Sequence, residues 1–398
     1  MAGTALVAAT MLAGGALAAD KKMMKPSISV NGSYEAVIGG ILDETQEKNG
    51  ADNATDTSAL DTRTDAEIHF NGRATTDNGI KIHVRVELEG QNNHSQPIGA
   101  GSGALGDPID EYFVSVSGSF GQIILGGTGG APVKMLTGLS GSWATGVGET
   151  LNFDNGWVPS AATGARHYNL QHSRLDTGDA EKITYISPKF GGFQVGLTYS
   201  PDGQSSPGDD NNRINAERSR HDGLEGAVSY SGKFGDVGFA VGAGMTAYQG
   251  ANEAGTTCVP SLPTPMGAAE TTSYQRCTPN PTSDTSDWLV AARIDFGGGF
   301  RVAAAHKQVT NDAKPTESQM TDVGVRFVTG ANSFSLVGSH GEMNNNEAFV
   351  TAVMGSYARA MGPGVKAHMN LLWTGSESTD GSQENSGTAL ITGIKVVF

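Results

Sequence analysis

The chain has 398 residues of which 37% are hydrophobic, and its mean hydropathy is -0.26, a thin apolar supply for one large dry core. Its formal net charge of -15 argues against nucleic acid as a partner, because phosphates demand basic surface. Glycine, at 56 residues, is about twice the usual ~7% share, which suits tight turns and crowded strands more than helices.

Residues Met1 to Ala19 carry no charged side chain, run apolar from Ala5 to Ala13, and end in Ala16-Leu17-Ala18-Ala19. That is the pattern of a secretory signal peptide, although the usual Lys or Arg near its start is missing. No later run of eighteen apolar residues follows to make a membrane helix, so any membrane crossing falls to strands. The predicted mature chain, residues 20–398, reads as a single domain.

The first predicted strand runs from Ser27 to Gly39, with Ile28, Val30, Tyr34, Ala36 and Ile38 on one face and Ser29, Asn31, Ser33 and Glu35 on the other. A long polar stretch, Leu42 to Thr64, separates it from a second strand in which Ala66, Ile68 and Phe70 alternate with Glu67, His69 and Asn71. Asp77-Asn78-Gly79 then turns the chain into the clearest segment of all. From Ile80 to Glu89 every even position is apolar and every odd one is charged or imidazole. Side chains alternate across a strand, so this stave has oil on one side and water on the other. A water-filled transmembrane β-barrel has that property.

Strands around Tyr112 to Val116 and Gln122 to Leu125 come next, joined at Ser117 to Gly121. Later short turns fall at Ser187 to Gly192, Ser231 to Asp236, Phe296 to Gly299, Thr329 to Asn332 and Met361 to Gly364. The alternation is weaker between Lys307 and Asn346. Short and long connectors alternate throughout, which predicts about sixteen antiparallel strands with short periplasmic turns and long extracellular loops. A β-sandwich or propeller accommodates the alternation less well, because neither alternates its connectors in this way.

Cys258 and Cys277 share one polar, proline-rich connector of an exported chain, which reads as a disulfide, with two free thiols as the alternative. Asp209-Asp210-Asn211-Asn212 reads as a solvated acidic loop, with loop-bound calcium as its alternative, and no other cofactor is expected. Gly101-Ser102-Gly103-Ala104-Leu105-Gly106 matches a dinucleotide fingerprint outside any βαβ context, and no hydrolase, zinc-protease or P-loop motif occurs. The chain is therefore not expected to be an enzyme.

Two stretches resemble the general Gram-negative porin family, most closely its alphaproteobacterial members. They are Glu111 to Gly121 followed by Ile124-Leu125-Gly126, and Ile183 to Phe193 with its Tyr185, Ser187-Pro188 and Phe190-Gly191-Gly192-Phe193. The terminal strand, with Ile394, Val396 and Phe398 at alternate positions, resembles the signal read by the outer-membrane assembly machinery. The resemblance implies a homotrimer in outer-membrane lipid and lipopolysaccharide that passes small hydrophilic solutes by passive diffusion. A solute-selective channel for anions, sugars or dicarboxylates is the alternative.

The resemblance also implies that the long connector 127–181 folds into the barrel and sets carboxylates against basic side chains on the facing wall. Candidates on the connector are Glu149, Asp154, Asp176 and Asp179, although the family's Pro-Glu-Phe-Gly-Gly sequence is missing. Wall candidates, by parity, are Arg73, Lys81, His83 and Arg85, with Arg85 nearest mid-height and Arg301, Arg326, Lys366 and Lys395 nearer the rim. Acidic loops at the mouth suggest a weak cation preference.

Overall fold

The computed structural model describes residues 24–48, 60–89, 109–147, 157, 175, 178–202, 221–250, 257–260, 275–278, 284–311, 318–343, 348–377 and 383–398. Sixteen antiparallel strands close into one barrel. In chain order they begin with β1 (Met24–Lys48), β2 (Leu60–Thr75), β3 (Lys81–Glu89), β4 (Ile109–Gly118) and β5 (Gly121–Gly127). After a long connector come β6 (Glu181–Ile186), β7 (Phe193–Asp202), β8 (His221–Phe234) and β9 (Val237–Gln249). A separate hairpin, β10 (Thr257–Pro260) and β11 (Gln275–Thr278), lies within the next connector. The barrel resumes with β12 (Thr285–Asp295), β13 (Phe300–Asn311), β14 (Ser318–Thr329), β15 (Asn332–Met343), β16 (Ala348–Gly362), β17 (Val365–Glu377) and β18 (Gln383–Val397), which pairs with β1.

The exterior follows from the sequence alternation. Ile28, Val30, Tyr34, Ile38, Ile68, Phe70 and Val84 are all exposed on the outer wall, as are Leu336 of β15 and Met369 and Leu371 of β17. Every short turn anticipated from the sequence joins two paired strands. At Asn78-Gly79 the glycine takes φ 85°, a conformation that L side chains resist. Gly121 takes φ 108°, and a Cβ there would strike the carbonyl oxygen of Ile186.

Strands are longer than the sequence pattern suggests. The predicted segment Ser27 to Gly39 is the centre of a strand spanning Met24–Lys48. Its polar extension pairs with β18 as far as Lys48↔Gln383, so much of the stretch assigned to a loop is ladder.

Closure is stitched at the seam between the chain ends. Gly32 and Phe398 exchange both backbone hydrogen bonds, at 2.9 and 3.0 Å. Inside the wall, His368 Nε2 lies 2.7 Å from Glu35 Oε1, and Lys395 Nζ lies 3.8 Å from Glu35 Oε2. Lys395, expected near the rim, therefore belongs to a link across β1, β17 and β18.

Candidate functional site: the bore and its inward loop

The connector after β5 turns inward and forms two short helices, α1 (Ala131–Leu136) and α2 (Gly141–Thr145), with a 3-10 turn between them. Pro132 in the first turn of α1 fits there, because the N–H it lacks would have no partner within the helix. Leu136 and Leu139 pack with Leu175 against Ala227, Ala240, Leu289, Ala291 and Ala305 on the inner wall. The wall is carved to receive them: a Cβ on Gly242 would sit 2.5 Å from Leu136 Cδ2, and one on Gly244 would sit 2.7 Å from Leu136 Cδ1. Small residues at inward positions of β8, β9, β12 and β13 thus form a seat for the loop.

Polar contacts fix the rest of the loop. Asp322 on β14, almost fully buried, accepts hydrogen bonds from the backbone N–H groups of Gly141 (3.2 Å) and Ser142 (2.7 Å) at the start of α2. At its other end Arg301 donates to the carbonyl of Ala144 at 3.0 Å. A carboxylate thus meets the positive end of this helix and a guanidinium the negative end. Arg293 donates to the carbonyl of Gly138 at 2.7 Å, and Asp295 pairs with both arginines. Arg301, expected near the rim, is a loop anchor. Further along, Trp157 reaches the other side of the barrel: Arg63 of β2 lies over its ring at 3.9 Å, and it clusters with Val37 of β1.

The seat on β13 and β14 lies across the bore from β3, since β13 is eight places from β3 in a ring of sixteen strands. All four wall candidates face inward there. Arg85 is the middle residue of the nine-residue β3, opposite Asn71 in register, and His83 is opposite Arg73. Arg73 Nη1 donates to Ser29 Oγ at 3.3 Å, and Asn71 bridges His83 (2.8 Å) and Asn31 (2.6 Å). Lys81 and Arg73 are exposed to the bore. Above Arg85 the sign reverses: His69 pairs with Glu87 and Glu67 with Glu89, and Arg85 itself bonds the Glu87 carboxylate.

Of the connector carboxylates, Glu149, Asp154 and Asp176 lie outside the described residues, as do the predicted signal peptide and Asp209 to Asn212. Asp179 is half-buried beside the start of β6, where its carbonyl approaches Gly127. Cys258 and Cys277 are directly opposite each other in the β10–β11 hairpin. Ile394 and Phe398 face outward on or next to β18, with Val396 at alternate spacing between them.

Sequence reasoning missed Lys134. Its ammonium projects from α1 to Thr128 Oγ1 at 3.0 Å and lies 5.4 Å from the Phe113 ring, which in turn makes an edge contact with His83. Burial holds this lysine below its ordinary range, opposed by the nearby carboxylates of Glu111 and Asp179. Asp322 was missed as well, for its role depends on a partner 180 positions away.

An apolar outer band, a charged inner wall and a loop seated within the bore define a water-filled outer-membrane diffusion channel. Residues 2–377 match the family model described as Gram-negative porin, and the chain belongs to that family. It is an outer-membrane porin, a passive channel for small hydrophilic solutes and ions. No curated protein matches it.

Solved structures share the fold at low identity. The outer membrane channel DcaP of Acinetobacter baumannii is 9% identical with a TM-score of 0.58, covering 96% of this chain and 100% of that one. OmpT of Vibrio cholerae, in its trimer form, is 10% identical with a TM-score of 0.53, covering 94% of this chain and 99% of that one. A mutant of the Rh. blastica porin is 14% identical with a TM-score of 0.52, covering 94% and 100%.

Proposed function

We propose that permeation is controlled between the β2–β3 wall and the inward loop, with Arg73, Lys81, His83 and Arg85 supplying the basic side of the field. The observation that carries this reading is the division of the interior: the two inward helices lie against the wall from β6 to β15, whereas Arg73 and Lys81 open into the bore. Glu149, Asp154 and Asp176 supply the facing negative edge, and Asp179 acts beside Lys134. Charged groups at a narrow passage select by field as well as by size. With acidic loops at the mouth, the net outcome is a weak preference for cations.

The working unit is a homotrimer, supported by the fold shared with the trimeric OmpT. Residues 1–19 direct export, residues 20–398 are the mature barrel, Cys258 and Cys277 close a disulfide within the hairpin connector, and Ile394, Val396 and Phe398 form the signal for barrel assembly. Single-channel conductance in planar bilayers, with a reversal potential measured across a salt gradient, tests the channel and its selectivity together. A reversal potential unaffected by neutralising Arg73, Lys81 and Arg85 overturns the wall assignment.

A further inference from the structure

Two neighbouring strands bring three metal-type ligands together on the bore side of the wall. Glu67 and His69 are two apart on β2, hence on the same face, and Glu87 of β3 is opposite His69 in register. His69 Nε2 lies 3.1 Å from Glu67 Oε2 and 3.2 Å from Glu87 Oε1, and the three ligand atoms lie within 4.8 Å of one another. Tetrahedral zinc with bonds of 2.0 to 2.1 Å separates neighbouring ligand atoms by about 3.3 Å, so the two histidine distances already fit.

A second observation shows that positive charge already sits against His69 Nε2 and the Glu87 carboxylate. Arg85 Nη2 sits 3.2 Å from His69 Nε2 and bonds Glu87 Oε2. The arginine is incompletely satisfied, because its Nε is buried without a hydrogen-bond partner. A guanidinium thus occupies a place that a compact divalent cation can take with shorter bonds and more of them.

We propose that Glu67, His69 and Glu87 form a binding site for a borderline divalent transition cation of the zinc type, reached from the bore and held in competition with Arg85. Glu67 Oε2, His69 Nε2 and Glu87 Oε1 supply three ligands, and water from the bore completes the coordination. One imidazole with two carboxylates suits this class, whereas calcium takes six to eight oxygens. Entry of the cation expels the guanidinium toward the bore, so the passage gains positive charge and its selectivity moves toward anions. The inference adds a ligand to the wall on which the permeation reading rests, and binding can be measured without conduction.

The test is calorimetric titration of the folded full-length protein in detergent with zinc chloride, paired with reversal potentials in bilayers with and without zinc. The expected result is a saturable site weakened at least about tenfold in both His69→Ala and Glu67→Gln, and tightened severalfold in Arg85→Ala. Zinc should shift the reversal potential toward anions in the unmodified protein and not in His69→Ala. No binding up to about 1 mM zinc, equal affinity in His69→Ala, or weaker binding in Arg85→Ala overturns the site. If His69→Ala fails to fold, His69→Gln and Glu67→Gln carry the comparison. A protein that binds zinc but gives no conductance would sink the permeation reading and leave the site standing.

Discussion

Asp322 holds Ser142 across 180 positions of sequence: its Oδ2 accepts the backbone N–H of Ser142 at 2.7 Å, while Oδ1 takes that of Gly141 at 3.2 Å. Hydrogen bonds to a charged acceptor contribute about 1.5 to 3 kcal/mol each, so this one side chain is a principal fastening of the inward loop. Asp322→Ala should release α2 and give larger, noisier single-channel currents. Asp322→Asn, which can keep only one acceptor oxygen, should fall between. Identical current histograms for all three proteins would show that the loop is held elsewhere.

The glycine seat makes a steric prediction that does not depend on charge. Gly242→Leu puts atoms where Leu136 already lies, since even a Cβ comes within 2.5 Å of it. The hardest clash falls on the loop, at Leu136, whereas the nearest barrel backbone atom, the Val228 carbonyl oxygen, is 3.1 Å away, so the loop should lift before the strand moves. Conductance should rise while the barrel still resists unfolding by heat in detergent. A fall in conductance would mean that the new side chain fills the bore instead.

Adjacent residues on β3 should respond in opposite ways. Arg85→Glu, on the bore side, should shift the reversal potential toward cations without loss of folded protein. Val84, 43% exposed on the outer wall, faces lipid. Val84→Arg should cost about 2 to 4 kcal/mol near the midplane and reduce the yield of assembled barrel. Similar behaviour of the two variants, scored by bilayer recordings and by outer-membrane yield, would contradict the face assignment.

Lys134 gives the channel a pH dependence. Burial disfavours its charged form, so it loses its proton at a lower pH than an exposed lysine does. As pH rises toward the lysine range, the passage should lose this positive charge before its exposed lysines lose theirs, and drift toward cation preference. Reversal potentials for Lys134→Met should lack that early drift. A variant that titrates like the unmodified protein would assign the effect to another group.

The barrel was legible because lipid and water impose opposite demands on alternate residues, as Ile80 to Glu89 illustrates. That contrast is missing from the polar sequence at the end of β1, which reads as loop although it pairs with β18 to Lys48. It also blurs where the inner wall is apolar. Val337, Ala352, Met354, Leu372 and Ile391 face inward in a buried cluster with Trp157, which removes the polar half of the pattern in β15 to β18. The basic wall could be read from parity alone. The loop's seat could not, because an inward Gly or Ala has no distinctive chemistry until Leu136 is seen against it, and because Asp322 looks like any wall carboxylate.

The order of charges along β2 and β3 gives the passage a direction. Lys81, Arg73 and Arg85 occupy the half nearer the short turn, and Glu87, Glu67 and Glu89 the half nearer the long loops. A zwitterion moving along this wall is drawn into one orientation, its ammonium toward the loop end and its carboxylate toward the turn end. Entering from outside it leads with the carboxylate, and leaving it leads with the ammonium. Inward and outward journeys are therefore different events for the same molecule, even though neither is driven.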